Sequence, residues 1–154
     1  MYCVDSSALI AAWQERYPIE NFPKFWTYLD GLMGCQKITA PPEVLEEISK
    51  KSDDLHGWLK EREARFVSPY DEAVLLAVKQ ILARFPRLVA EKKQRFAADP
   101  FVIALAQHRG LVIVTEERPT TSLNRPNIPD VCTEIGVRCA PLLHVIREER
   151  WLIS

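Results

Sequence analysis

The sequence predicts an α/β fold: three layers, α/β/α, around a mostly parallel central sheet, in a single domain over residues 1–154. Three observations predict it. Short apolar runs alternate with helix-period patterns along the chain. Residues 111–114, LVIV, follow Gly110 and are apolar without interruption, which is how a central parallel strand covered on both faces reads. The chain has 154 residues, 47% hydrophobic and 27% charged, enough for one sizeable core, with no internal repeat, low-complexity segment or linker to divide it.

The elements follow in order. Residues 2–4 (YCV) read as a first strand. Leu9, Ile10 and Trp13 share a helical face in 7–16, and Pro18 stops that helix. Phe25, Trp26, Leu29, Leu32 and Met33 make a second apolar stripe over 22–33. Residues 37–40 (KITA) form a strand, and Pro41-Pro42 opens the next helix. Leu55, Trp58 and Leu59 mark a further helix, and Phe66-Val67 a brief strand before Ser68-Pro69. Val74, Ala77, Val78, Ile81 and Leu82 define a longer helix broken at Pro86. Residues 99–109 are helical and capped by Gly110, after which comes the strand 111–114. A polar, Pro-rich loop covers 118–130, 137–139 (VRC) form a last strand, and 142–150 a last helix.

Composition excludes several classes. No apolar run approaches the roughly 20 residues that span a bilayer. The start, MYCVDSSALIAAW, lacks a basic n-region and carries an Asp inside its apolar stretch, unlike a signal peptide, so a cytoplasmic protein with no membrane association is expected. Cys3, Cys35, Cys132 and Cys139 form no CxxC pair and the three histidines are scattered, which speaks against zinc and for free thiols. No GxxxxGK[ST] loop is present. Net charge is −1, so any nucleic-acid contact must be local. The stretch 84–95 (RFPRLVAEKKQR) is the candidate: Lys92, Lys93 and Arg95 could meet phosphates, or could be a solvated helix end.

In a parallel sheet the chemistry gathers beyond the carboxyl ends of the strands, and there the chain places its acids. Asp5 follows the first strand. It can cap the helix that starts near Ser7, but Ser6 and Ser7 could do the same. Asp99, before Pro100, has the form of an N-cap, which leaves one oxygen for an ion. At about 100° per residue, Val44, Leu45 and Ile48 define the buried face of their helix. Glu43 and Glu46 then point away while Glu47 lies on the flank. Glu117 follows LVIV and Thr115, with Glu116 beside it as an alternative. Asp130 either folds back towards the same edge or serves as a turn or cap. Clustered carboxylates repel one another unless a cation neutralises them. Hard oxygen ligands suit Mg²⁺ or Mn²⁺, and phosphodiester hydrolysis is their usual chemistry.

The segments YCVDSSALI, PPEVLEEI, ADPFVIALA and LVIVTEE together resemble, in order and spacing, the PIN domain of VapC-like toxins, over nearly the whole chain. They look most like an uncharacterised PIN-like branch that also carries an IPDVC segment near the C-terminus. The family's D-x-S corresponds to Asp5 and Ser7. Its second acid, after V-x-x, corresponds to Glu47. Its D-x-x-I-A-x-A corresponds to Asp99 through Ala106, with one residue inserted before Ile103. Its T-x-D corresponds to Thr115-Glu116-Glu117, a Glu where the pattern has Asp, for which Asp130 could substitute. The resemblance implies a metal-dependent endoribonuclease that hydrolyses RNA phosphodiesters with Mg²⁺ or Mn²⁺. It also implies a toxin paired with an antitoxin protein, and a homodimer. Asp5, Glu47, Asp99 and Glu117 would be the catalytic and metal-holding residues, with Ser7, Thr115 and Asp130 in support. A catalytically inactive PIN-like module that binds a protein partner is the alternative. A phospho-aspartate enzyme is disfavoured, because Ser7 stands where such sites carry a second Asp.

Overall fold

The computed structural model describes residues 1–69, 71–90 and 98–153. Its centre is a four-stranded, all-parallel sheet of β1 (Tyr2–Val4), β2 (Ile38–Thr39), β3 (Val112–Val114) and β4 (Cys139–Ala140), in the order β2-β1-β3-β4. Tyr2, Cys3 and Val4 lie opposite Val112, Ile113 and Val114, so Asp5 and Thr115 leave the two central strands side by side. The Asp5 amide extends the ladder to the Val114 carbonyl at 2.8 Å. From β1 the chain goes to one side for β2 and to the other for β3. The carboxyl ends of β1 and β3 therefore flank the topological switch point, where an open α/β sheet forms its crevice.

Helices carry the chain between strands. They are α1 (Ser6–Ala11), α2 (Pro23–Gly34), α3 (Pro42–Ser49), α4 (Asp53–Lys60), α5 (Glu63–Phe66), α6 (Glu72–Arg84), α7 (Arg87–Ala90), α8 (Asp99–Arg109), α9 (Ile128–Ile135) and α10 (Leu142–Glu148). α8 packs along β1 and β3 and against α6, while α1, α3 and α4 form a neighbouring group. One continuous apolar cluster fills the interior, with Cys3, Val4, Ile113 and Val114 at its centre and Phe25, Trp26, Leu29 and Phe66 beneath the helices. Ordinary hydrophobic burial accounts for the three-layer sandwich expected from the sequence.

The differences have local causes. The first helix loses α geometry after Ala11 and continues as a π turn over Ala12–Arg16, closed by the Tyr17 amide on the Ala12 carbonyl at 2.7 Å. Phe66 ends α5 rather than starting a strand, and only Val67 bridges to Ala40. The segment expected as loop to 130 turns helical at Ile128. Asn127 and Asp130 form a capping box there, and Gly136 ends α9 in the left-handed region at φ 77°. β4 falls at 139–140 instead of 137–139. Gly110, at φ 67°, caps α8 as expected.

Candidate active site

Asp5 sits at the switch point, 1% exposed. As N-cap of α1 it accepts from the Ser6 amide through Oδ1 at 2.8 Å. Its other oxygen, Oδ2, accepts from the Ser7 hydroxyl at 2.7 Å and from the Thr115 hydroxyl at 3.0 Å. Capping thus uses one oxygen, and the second is held by two hydroxyls from two elements. Those hydroxyls lie 3.2 Å apart and are themselves fixed: the Glu116 amide donates to Ser7 Oγ and the Glu117 amide to Thr115 Oγ1, each at 3.1 Å. The expected trio of Asp5, Ser7 and Thr115 is one hydrogen-bonded unit tying the end of β1 to the end of β3.

Glu47 joins this unit through Ser6, whose hydroxyl donates to Glu47 Oε1 at 2.8 Å. Its helix places it as the 100° wheel expects: Glu47 is buried at 7% exposure with Val44, Leu45 and Ile48, while Glu46 faces solvent. Glu47 Oε2 is a buried oxygen that accepts no hydrogen bond of good geometry among the described residues, with the Ala98 amide the backbone donor that acts on this carboxyl. Sequence reasoning gave no role to Ser6 beyond a possible cap. The signal was the DSS run itself, because successive hydroxyls in a first helical turn point about 100° apart and can serve two different carboxylates.

Asp99 is 1% exposed as the first residue of α8. The expected N-cap position belongs to Ala98 instead, whose methyl side chain makes no cap. The Ala98 amide does act on Glu47, which places the head of α8 beside the Asp5–Glu47 pair.

The remaining acids are engaged in holding loops. Glu117 Oε1 accepts from the Ile128 amide at 3.0 Å, the first of α9. Glu116 Oε2 accepts from the Leu142 amide at 3.2 Å, the first of α10, and its other oxygen pairs with Arg16 of the π turn. Carboxylates at helix N-termini are favourable on their own account. Asp130 accepts from the amides of Thr120, Thr121 and Asn127 and from the Thr120 hydroxyl, at 2.8–3.1 Å. Those bonds take up both its oxygens and pin the loop that precedes α9. Asp130 is therefore committed to its own loop. Lys92, Lys93 and Arg95 lie outside the described residues.

Electrostatics separate the acids into two kinds. Burial pushes the Asp5 carboxyl above its ordinary range, and the Ser7 and Thr115 hydroxyls and nearby amides work against that rise. Burial likewise pushes Glu47 up to about 7; the Ser6 hydroxyl lowers it and the neighbouring Asp5 charge raises it. At Asp130 burial acts upward too, but the amides of Thr120, Asn127 and Thr121 overcome it and hold the carboxyl below the usual value. Asp130 is satisfied as an anion, whereas at Asp5 and Glu47 burial outweighs the hydroxyls and amides, and at Glu47 also the Lys51 charge, that favour ionisation.

This donor set, carboxylate and hydroxyl oxygens without sulfur or nitrogen, fits a hard divalent cation. Among the described residues no three His, Cys, Asp or Glu side chains are already gathered as a cage. Mg²⁺ does not need one, since it commonly takes one or two carboxylates and completes its shell with water and substrate phosphate. No helix among the described residues is long and apolar enough to cross a membrane.

The model of a family described as a domain of unknown function, DUF4411, matches residues 2–153. Among solved structures, the chain is similar to FitAcB from Neisseria gonorrhoeae, 19% identical over 94% of this chain and 99% of that one, with a TM-score of 0.51. PAE2754 from Pyrobaculum aerophilum is 18% identical over 88% of this chain and 96% of that one, with a TM-score of 0.40. No curated protein matches the chain. The FitAcB likeness bears on the fold alone, and the fold is the three-layer, PIN-like sandwich expected from the sequence.

Proposed function

The chain belongs to the DUF4411 family, and we propose that it is a metal-dependent endoribonuclease, hydrolysing RNA phosphodiesters with Mg²⁺ or Mn²⁺ as the toxin of a toxin–antitoxin pair. One observation carries the reading. Asp5 and Glu47 stand at the switch point of the sheet, joined through Ser6, both with acidity weakened by burial, and Glu47 keeps a buried oxygen without a well-formed hydrogen bond among the described residues. Two such anions favour a cation, and the nuclease assignment then draws on the motifs similar to VapC-like toxins.

Asp5 and Glu47 would hold the ion, with Asp99 approaching from the head of α8. When bound, Mg²⁺ lowers the pKa of a water and offsets charge on the phosphate. The chain's own residues supply orientation. Ser7 and Thr115 fix the Asp5 carboxylate in one rotamer, and Ser6 fixes Glu47. Burial keeps competing water away from the pair and strengthens its pull on a cation. Glu117 assists by seating α9 and the loop beside Thr115 rather than by presenting a free carboxylate.

Cleavage of structured RNA in Mn²⁺ by the wild type and by Asp5→Asn tests this. The proposal expects cutting by the wild type, its loss with EDTA, and a fall of at least about 100-fold in the variant, the scale of losing one preorganised charge-stabilising group. Equal cleavage by the two proteins, or none by antitoxin-free wild type, would contradict it.

The second reading is a protein-binding module without catalysis. What favours it is that Glu116 and Glu117 are spent on the amides that open α10 and α9. Calorimetry separates the two: absence of Mn²⁺ binding at millimolar ion would select the module.

A further inference from the structure

At the amino-terminal end of the sheet, opposite Asp5, the chain forms a cavity of about 290 Å³. Ile38, Phe66 and Leu111 give it an apolar floor, and Lys37, Arg65 and Arg109 are its cations. Among the described residues no Asp or Glu lines it, although the chain as a whole has a net charge of −1. We infer that this cavity binds the phosphate of a nucleotide-sized ligand, with Arg109 as the phosphate-contacting side chain.

Arg109 is the last residue of α8, and a cation there is ordinary on grounds of the helix dipole alone. Its placement goes beyond that. The guanidinium donates to Ser68 Oγ at 2.8 Å. Ser68 is 5% exposed and lies 2.6 Å from the Thr39 hydroxyl, which in turn donates to the Phe66 carbonyl at 2.8 Å. A half-buried relay of two hydroxyls thus orients one edge of the exposed guanidinium, and its other N–H donors meet no partner among the described residues. Among the described residues Arg109 makes no ion pair. The other two cations are only partly neutralised. Lys37 stands 3.6 Å from Glu149, and Arg65 shares the single carboxylate of Asp30 with Arg62.

A prepositioned guanidinium without a carboxylate is a bidentate anion receptor. The volume is at the lower limit of small-ligand pockets, and its lining mixes polar and apolar groups, which suits a phosphate carried on a ribose or base. The phosphate could come from a free mononucleotide or from the end of an RNA strand. The site does not depend on the ribonuclease assignment, because it lies at the other end of the sheet.

Isothermal titration of pyrophosphate, AMP and a 5′-phosphorylated RNA oligonucleotide in EDTA tests the inference. The proteins are the wild type, Arg109→Ala, Ser68→Ala and Asp5→Asn. Binding of AMP, or of the oligonucleotide, should weaken about tenfold in Arg109→Ala, the effect of one lost charge-assisted bond. It should weaken to a smaller degree in Ser68→Ala, which keeps the charge but frees its orientation. Asp5→Asn should bind like the wild type. AMP binding as tightly as the oligonucleotide marks a free nucleotide as the source, and tighter oligonucleotide binding marks RNA. No binding of any of the three, or binding indifferent to Arg109→Ala, overturns the inference and leaves the cleavage assay untouched.

Discussion

Replacing Glu47 with Gln should make the metal-free protein more stable at pH 8, although it removes a buried, hydrogen-bonded side chain. The folded Glu47 carboxyl lies near 7 against an ordinary 4.5. Between those values the folded state holds a proton that the unfolded state has released, so stability falls as pH rises from about 4.5 to about 7. Above that window the folded protein bears the full penalty of a buried anion beside Asp5. At 1.36 kcal/mol per pKa unit the rise from 4.5 to about 7 corresponds to about 3.4 kcal/mol, which solvent screening of an incompletely enclosed carboxyl reduces to roughly 2–3 kcal/mol. Gln retains an acceptor for Ser6 and carries no charge, so the variant escapes the penalty. For a chain of this size the gain is about 4–12 °C in Tm at pH 8 and close to nothing at pH 4.5. Thermal unfolding in EDTA across pH 4.5–8, followed by circular dichroism, gives the difference curve directly. Adding Mn²⁺ should reverse the order at pH 8, because the cation stabilises only the protein that retains both carboxylates. A Glu47→Gln variant equal to or less stable than the wild type at pH 8 in EDTA would refute the reasoning.

Ser6→Ala removes the hydroxyl that donates to Glu47 and keeps the amide that Asp5 caps, so Mn²⁺ affinity by calorimetry should fall by about 10-fold or more, as for other lost supporting bonds around a metal. Asp130→Ala unties the loop before α9 and leaves amides of Thr120, Thr121 and Asn127 without their acceptor, so urea unfolding should show a loss of about 2–4 kcal/mol. The Asp130 contribution is present above the ordinary carboxyl pKa and is lost as pH falls through its depressed folded value, so the variant and the wild type should converge in strong acid. Gly136→Ala meets no atom within 4 Å of the added Cβ, but its φ of 77° is left-handed, so denaturant midpoints should report a cost of about 1 kcal/mol from backbone strain alone.

The parts of the molecule legible in the sequence are those governed by local periodicity. YCV and LVIV are apolar on both faces and became the two central strands. Glu47 stood on the flank of an amphipathic wheel and is buried, while Glu46 is not. Helix α9 was less legible because Pro126, Asn127 and Pro129 read as loop, yet Asn127 and Asp130 are spaced as a capping box and Pro129 suits a first helical turn. The π turn after Ala11 leaves no local signature. The turn-or-cap reading of Asp130 holds, but the fates of Glu116 and Glu117 could not be read from position: each is decided by which backbone amide comes within reach, and those amides arrive from α10 and α9. Asp99 differs by a single residue, from N-cap to first helical position, which is ordinary for helix ends.

The central claim is that Asp5 and Glu47 together form a divalent-cation site at the switch point of the sheet. Anomalous diffraction from crystals grown in Mn²⁺ tests it most directly. The account predicts one strong peak at coordination distance from an Asp5 oxygen and from Glu47 Oε2, lost in crystals of Asp5→Asn. Absence of a peak there at millimolar Mn²⁺, or a peak held by Glu116, Glu117 or Asp130 in its place, would contradict it.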